Sequence, residues 1–120
     1  MTTKEFNNIA KMIIDYCENI LISKTEEYVL DNDDRLKAFR REWLETDKPE
    51  NEKKILWGQM AKHISSIYDY CLEDDPKFDV EHYDKWYEKI ADSINYLIIL
   101  FAIVYERAGD YTNKKLEDIK

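Results

Sequence analysis

Glu88-Lys89-Ile90-Ala91-Asp92-Ser93-Ile94-Asn95-Tyr96-Leu97 decides the fold. Glu88, Asp92 and Asn95 are spaced by four and three, so two carboxylates and an amide share one helix face. From 94 to 105 the same helix is apolar on nearly every side, with Asn95 its clearly polar residue. A helix apolar all round must be covered on more than one side. In a chain of 120 residues that implies a subunit interface as well as a core. Burying polar groups beside a core costs free energy unless they have partners. The stripe is therefore either a structural network or a binding site.

Working outward, the composition fits a helical protein. Hydrophobic residues make up 44% and charged residues 37%, and there are only two Gly and two Pro. A sheet protein of this size needs more turn chemistry, so the chain reads as few, long helices in one domain. The net charge is −8, with no basic patch large enough for a phosphate backbone, which argues against direct nucleic-acid binding. An acidic surface serves solubility, or it mimics nucleic acid towards a basic partner. Cys17 and Cys71 each fall in an apolar helical stripe and read as small buried hydrophobes rather than a disulfide. The N-terminus is polar and its apolar positions are periodic, unlike a signal peptide. The run 96–105 is too short to cross a bilayer. The expected location is the cytosol.

Four main helices are expected. Thr2 with Glu5 fits a capping box at the start of the first. Phe6, Ile9, Ala10, Ile13, Ile14, Cys17, Ile20 and Leu21 give that helix one apolar face, running to about 28–30. The Asp31-Asn32-Asp33-Asp34 cluster breaks it. A shorter helix over about 34–44 turns Leu36, Phe39 and Trp43 inward. The third follows a polar connection with Pro49 and runs to about 72, with Leu56, Met60, Ile64, Ile67 and Cys71 on its apolar face. Gly58 inside it permits a close approach or is a local weakness of roughly 1 kcal/mol. After a loop marked by Pro76, Asp79 caps a last helix over about 80–108. Tyr83, Tyr87, Ile90, Ile94, Leu97, Phe101 and Val104 define its face, and Ile98, Leu100 and Ile103 widen it. Arg107 and Gly109 form its stop, and 110–120 a C-terminal tail beyond a domain of 1–109.

Lys62, Ser66 and Asp69 repeat the four-and-three spacing on the third helix, with His63 one step round. If the third and last helices pack antiparallel, the two stripes meet, and Lys62 reaches Asp92 or Glu88. One reading is a polar seam that fixes helix register. The other is a pocket in which Glu88 and Asp92 hold a divalent cation, Glu27 adds a third carboxylate, and Lys62 and Arg35 face phosphate. A lone helical His is weak evidence for a general base. There is no Gly-rich phosphate loop, HExxH or CxxC pattern. Trp43, Trp57 and Trp86 read as core or interface anchors, or as walls of a base-stacking pocket.

Four pieces of the chain carry a resemblance: Lys24-x-x-Glu27-Tyr28, Asp34-Arg35-Leu36-x-x-Phe39, Met60-x-Lys62-His63-x-x-Ser66-Ile67-x-Asp69, and Trp86-x-Glu88-Lys89-Ile90-x-Asp92-x-Ile94-Asn95-Tyr96-Leu97. In order and spacing they resemble the small phage proteins called nucleotide modification associated domain 1. More distantly they resemble the MazG-like, all-α nucleoside triphosphate pyrophosphatases. The resemblance implies an oligomeric helical bundle with a nucleotide-related role. It also implies Mg²⁺ at Glu88 and Asp92, with Glu27 as a third ligand. The chain departs from the enzymes at three points: Glu26 and Glu27 are adjacent, Glu88 and Asp92 lie one residue further apart than ExxD, and Val29 stands where Gly is usual.

The resulting expectation is an all-α bundle of about four helices, working as a homo-oligomer. It would bind a nucleotide or a nucleotide-derived small molecule through Lys62, Arg35, His63, Ser66, Asp69, Asn95 and Tyr96. Two activities are compatible with that: Mg²⁺-dependent hydrolysis of a nucleoside triphosphate to monophosphate and pyrophosphate, or anti-defence binding without catalysis. In the second, the protein sequesters a nucleotide signal or inhibits a host protein.

Overall fold

The computed structural model describes residues 1–28, 36, 51–74 and 78–112, with side chains over 1–22, 51–74 and 80–109 and at Leu36. Apart from the ends and turns, those residues are helical, without a strand among them. In chain order the helices are α1 (Thr3–Tyr28), α2 (Glu52–Cys71), the single turn α3 (Phe78–Glu81) and α4 (Tyr83–Thr112). The second expected helix, 34–44, lies outside the described residues except for Leu36, which is helical and packs on the core.

The start of α1 is fixed by its own residues. The Thr2 hydroxyl accepts from the Glu5 N–H, and the Glu5 carboxylate accepts from the Thr2 N–H, both at 3.1 Å. This reciprocal pair satisfies two helix-terminal donors, as the Thr-x-x-Glu spacing predicts. The start of α4 differs from expectation. Asp79 is already helical within α3, and the chain breaks at His82 before α4 begins. The far end differs too: Arg107 and Gly109 do not stop α4, which continues to Thr112. An exposed Gly weakens a helix but leaves its backbone hydrogen bond intact, so it stops one only where a left-handed turn follows.

Three contacts set the orientation of α2 on α4. Glu52 faces Arg107, Leu56 joins Ile99 and Ile103, and His63 faces Asp92 and Tyr96. The pairing continues to Tyr70 against Trp86, with ring centroids 5.2 Å apart. Numbers rise on one helix as they fall on the other, so the helices are antiparallel. α1 runs the other way, parallel to α4: Tyr16 meets Tyr87 at 4.6 Å, Cys17 meets Ala91, and Leu21 reaches the core cluster.

The core is Leu56, Ile99 and Ile103, flanked by Leu21, Leu36, Ile55, Tyr96 and Leu100. Burial of α4 follows Ala91, Asn95, Ile99 and Ile103, each one turn from the last. That phase corrects the expected face. Leu97, Phe101 and Val104 are exposed, and Ile99, absent from the expected face, is 1% exposed. On a helix apolar all round, hydrophobicity cannot choose the inward side. Here α1 and α2 approach along the stripe that carries the small Ala91, where Cys17 reaches the backbone. Three other expectations also give way. Cys71 and Ile64 are exposed although they lie at core spacing beside Leu56 and Met60, and Trp57 is exposed too, which removes the core reading for it. Gly58 has nothing within 4 Å of where a Cβ would sit, so no close approach requires it.

Candidate functional site

Midway along the α2–α4 seam the side chains change from aliphatic to titratable. His63 brings Nδ1 to 3.9 Å from Oδ2 of Asp92, and its ring lies 5.4 Å from that of Tyr96. Asp92 and Tyr96 are one turn apart on α4, so a single α2 side chain spans both. Asn95 sits beside them, 1% exposed, and neither its amide oxygen nor its amide nitrogen has a hydrogen-bond partner. α1 closes the group from the other side, where the Cys17 thiol donates to the Ala91 carbonyl at 3.6 Å. α1 thus lies beside Ala91 and within electrostatic reach of Asp92, while α2 covers Asp92 and Tyr96.

Asp92 is the electrostatic centre of this group. Burial pushes its carboxyl above the ordinary range. The neighbouring Glu88 charge adds to that, while His63 and Lys89 oppose it. Burial likewise raises the Tyr96 phenol, and the Asp92 charge raises it further. The Cys17 thiol is raised by burial first and by Asp92 second, with a backbone hydrogen bond opposing them. A thiol held protonated in this way is not a nucleophile. The site gathers a buried amide, an imidazole, a phenol and a carboxyl at one level of the seam.

The structure brings together His63, Asp92, Asn95 and Tyr96 of the expected set. It separates the rest. Lys62 and Asp69 are exposed on α2, and Glu88 is exposed on α4. Among the described residues Lys62 makes no ion pair with Asp92 or Glu88, because the register places His63 at Asp92. Ser66 uses its hydroxyl on its own helix, donating to the Lys62 carbonyl at 3.0 Å. Ser93 does the same to Lys89 at 2.8 Å. The Glu27 side chain and Arg35 lie outside the described residues.

The expected Mg²⁺ ligands can be tested against this geometry. Among the described residues no group of three or more His, Cys, Asp or Glu side chains is placed to hold a metal ion. Asp92 faces an imidazole, with Glu88 one turn away in solvent. Two carboxylates can hold Mg²⁺ only if waters and substrate phosphates complete its octahedron. The described donors fit that cation incompletely.

Two features escaped the sequence reading. Cys17 against the Ala91 carbonyl needed the α1–α4 register, which no local pattern encodes. Glu52, with its side chain 1% exposed, lies 3.9 Å from Arg107 at the far end of the seam. Its position in the first turn of α2 favours the helix dipole and gives no sign of its burial. Among the described residues no helix is long and apolar enough to cross a membrane. Comparison with protein-family models, with curated proteins and with solved structures gives no match.

Proposed function

We propose that this chain binds a nucleotide or nucleotide-derived small molecule at the α2–α4 seam, with its base against His63, Asn95 and Tyr96. The Asn95 amide carries the reading. A buried polar group without a partner costs about 1–3 kcal/mol. A ligand edge with one donor and one acceptor satisfies both ends of an amide at once, as adenine does. Tyr96 and His63 supply flat surfaces beside it. Exposed Lys62, one residue from His63, and Arg35 would contact phosphate. The chain would work as a homo-oligomer.

The pairing of Asp92 with His63 favours recognition over hydrolysis. A sequestering protein needs the seam alone, whereas the Mg²⁺-dependent pyrophosphohydrolase reading also needs Glu88, Asp92 and Glu27 around one cation. The resemblance to small phage proteins makes a host nucleotide signal the natural ligand class. Thermal unfolding with a nucleotide panel, with and without Mg²⁺, tests the reading, because a ligand selective for the folded state raises the midpoint. At least one nucleotide should stabilise the wild type and not Asn95→Leu. A panel without effect, or an equal effect on the variant, removes the site. Ligand recovered intact after denaturation identifies a sequestering protein; monophosphate and pyrophosphate identify an enzyme. Inhibition of a host protein by the acidic surface instead requires a salt-sensitive protein complex and no nucleotide.

A further inference from the structure

Among the described residues, the face of α4 opposite its buried stripe is half-covered at Ile90 and Ile94 and open from Leu97 onward. Ile90, Ile94, Leu97, Phe101, Val104 and Ala108 follow one another at spacings of four and three. That is the heptad seam of a coiled coil, in which each side chain fits a hole in a facing helix. At 3.6 residues per turn this seam lies across the helix from Asn95, Ile99 and Ile103, with Ile99 diametrically opposite it. Its middle is open: Phe101 is 65% exposed, Leu97 51% and Val104 47%, with Ile98 beside them at 46%. No charged residue occurs from 93 to 105, so a chain of net charge −8 keeps its charges off this face.

We propose that α4 pairs with α4 of a second copy across this face, antiparallel about a two-fold axis that crosses the seam at the level of Ile99. This inference does not rest on the nucleotide reading. Three observations select a second copy over another protein. The seam has the same spacing in both directions from Ile99. A two-fold therefore sets Phe101 on the partner's Leu97 and Val104 on the partner's Ile94. An isologous interface requires that self-complementarity. The seam needs a helix of matching heptad spacing, and the chain supplies one. The area also fits. The four exposed side chains present roughly 400 Å² of apolar surface per copy, given the size of such side chains. A standard interface removes about 800 Å² per partner, somewhat over half of it apolar.

Sedimentation equilibrium of the full chain tests the pairing, with helicity followed by circular dichroism. The wild type should be a dimer. Phe101→Glu should associate at least about 30-fold more weakly at unchanged helicity, as truncation of a central anchor does. Leu97→Lys should do the same, and it serves if Phe101→Glu does not fold. The chain carrying both Leu97→Lys and Phe101→Glu should regain the dimer, because the antiparallel register opposes the two new charges. Tyr68→Glu, on exposed α2 surface, should leave association unchanged. A wild type that stays monomeric overturns the proposal, whether its α4 face is covered by its own chain or kept for another protein. So does a Phe101→Glu chain that dimerises as tightly as wild type. A double variant no more associated than either single one overturns the antiparallel pairing.

Discussion

The two halves of the α2–α4 seam share a register and differ in what they bury. In one, Leu56, Ile99 and Ile103 meet with no polar atom among their side chains. In the other, His63, Asp92, Asn95 and Tyr96 meet with a displaced carboxyl and an amide lacking partners. The first half gains free energy from every ångström of contact. The second gives some of it back. Sequences that specify one structure satisfy local rules nearly everywhere and break them at functional sites, so the unsatisfied half is where a ligand is expected.

The largest effect should come from the aliphatic half. Ile99→Ala removes a buried branched side chain and should cost about 2–5 kcal/mol in chemical denaturation. A cost under about 1 kcal/mol would mean that the two halves are equally loose. Asn95→Leu should have the opposite sign. Removing an amide without partners should raise stability by about 1–3 kcal/mol and abolish ligand stabilisation. If Asn95→Leu is destabilised, the amide is partnered in solution and the contrast between the halves fails.

Asp92 gives a pH test. A carboxyl whose value is raised on folding holds its proton more tightly folded than unfolded. Its contribution to stability is fully present below the unfolded value of 3.8 and is lost as pH rises through the folded one. Asp92→Asn removes that loss. The difference in midpoint, variant minus wild type, should therefore be larger at pH 7 than at pH 4. The change should be about 1 kcal/mol or less, since the side chain is 31% exposed and screened by water. A difference independent of pH would show that Asp92 is not displaced. His63→Phe sharpens this further. It keeps an aromatic ring near Tyr96 and removes the main group holding the Asp92 carboxyl down, so an NMR titration should find that carboxyl higher still. The smallest effect belongs to Gly58→Ala, which adds a Cβ to open space on the helix that carries both halves. It should add about 0.4–1 kcal/mol and leave ligand binding unchanged, which separates stiffening α2 from altering the seam.

What the sequence disclosed follows from the range of each interaction. The capping box is a contact between residues three apart, and it was legible outright. The helical class followed from the scarcity of Gly and Pro. The antiparallel approach of the third and last helices was open to supposition from spacing, but the two polar stripes do not meet as expected: Lys62, Asp69 and Glu88 are exposed. The partner of Asp92 was not legible. A rotation of one residue, about 100° round a helix, decides between Lys62 and His63, and packing elsewhere sets that rotation. The inward side of α4 was hidden for the same reason. Both of its sides are apolar, so the heptad face looked like the core, although Ile99 and its neighbours were chosen. Cys71 and Ile64 show the reverse, being apolar residues at core spacing that are nonetheless exposed.

Tyr96 belongs to both halves: its ring lies beside His63, and the same side chain packs against the cluster formed by Leu56, Ile99 and Ile103. A ligand that reorients this ring must exchange aliphatic packing for its own contacts. On the proposed nucleotide-binding reading, affinity would be tuned from inside the protein. Drift at Leu56 or Ile99, neither of them in the candidate site, would shift ligand preference and dissociation rate while the recognition groups stay unaltered. Variants that bind new ligands should arise among the aliphatic neighbours of Tyr96 as readily as at Asn95.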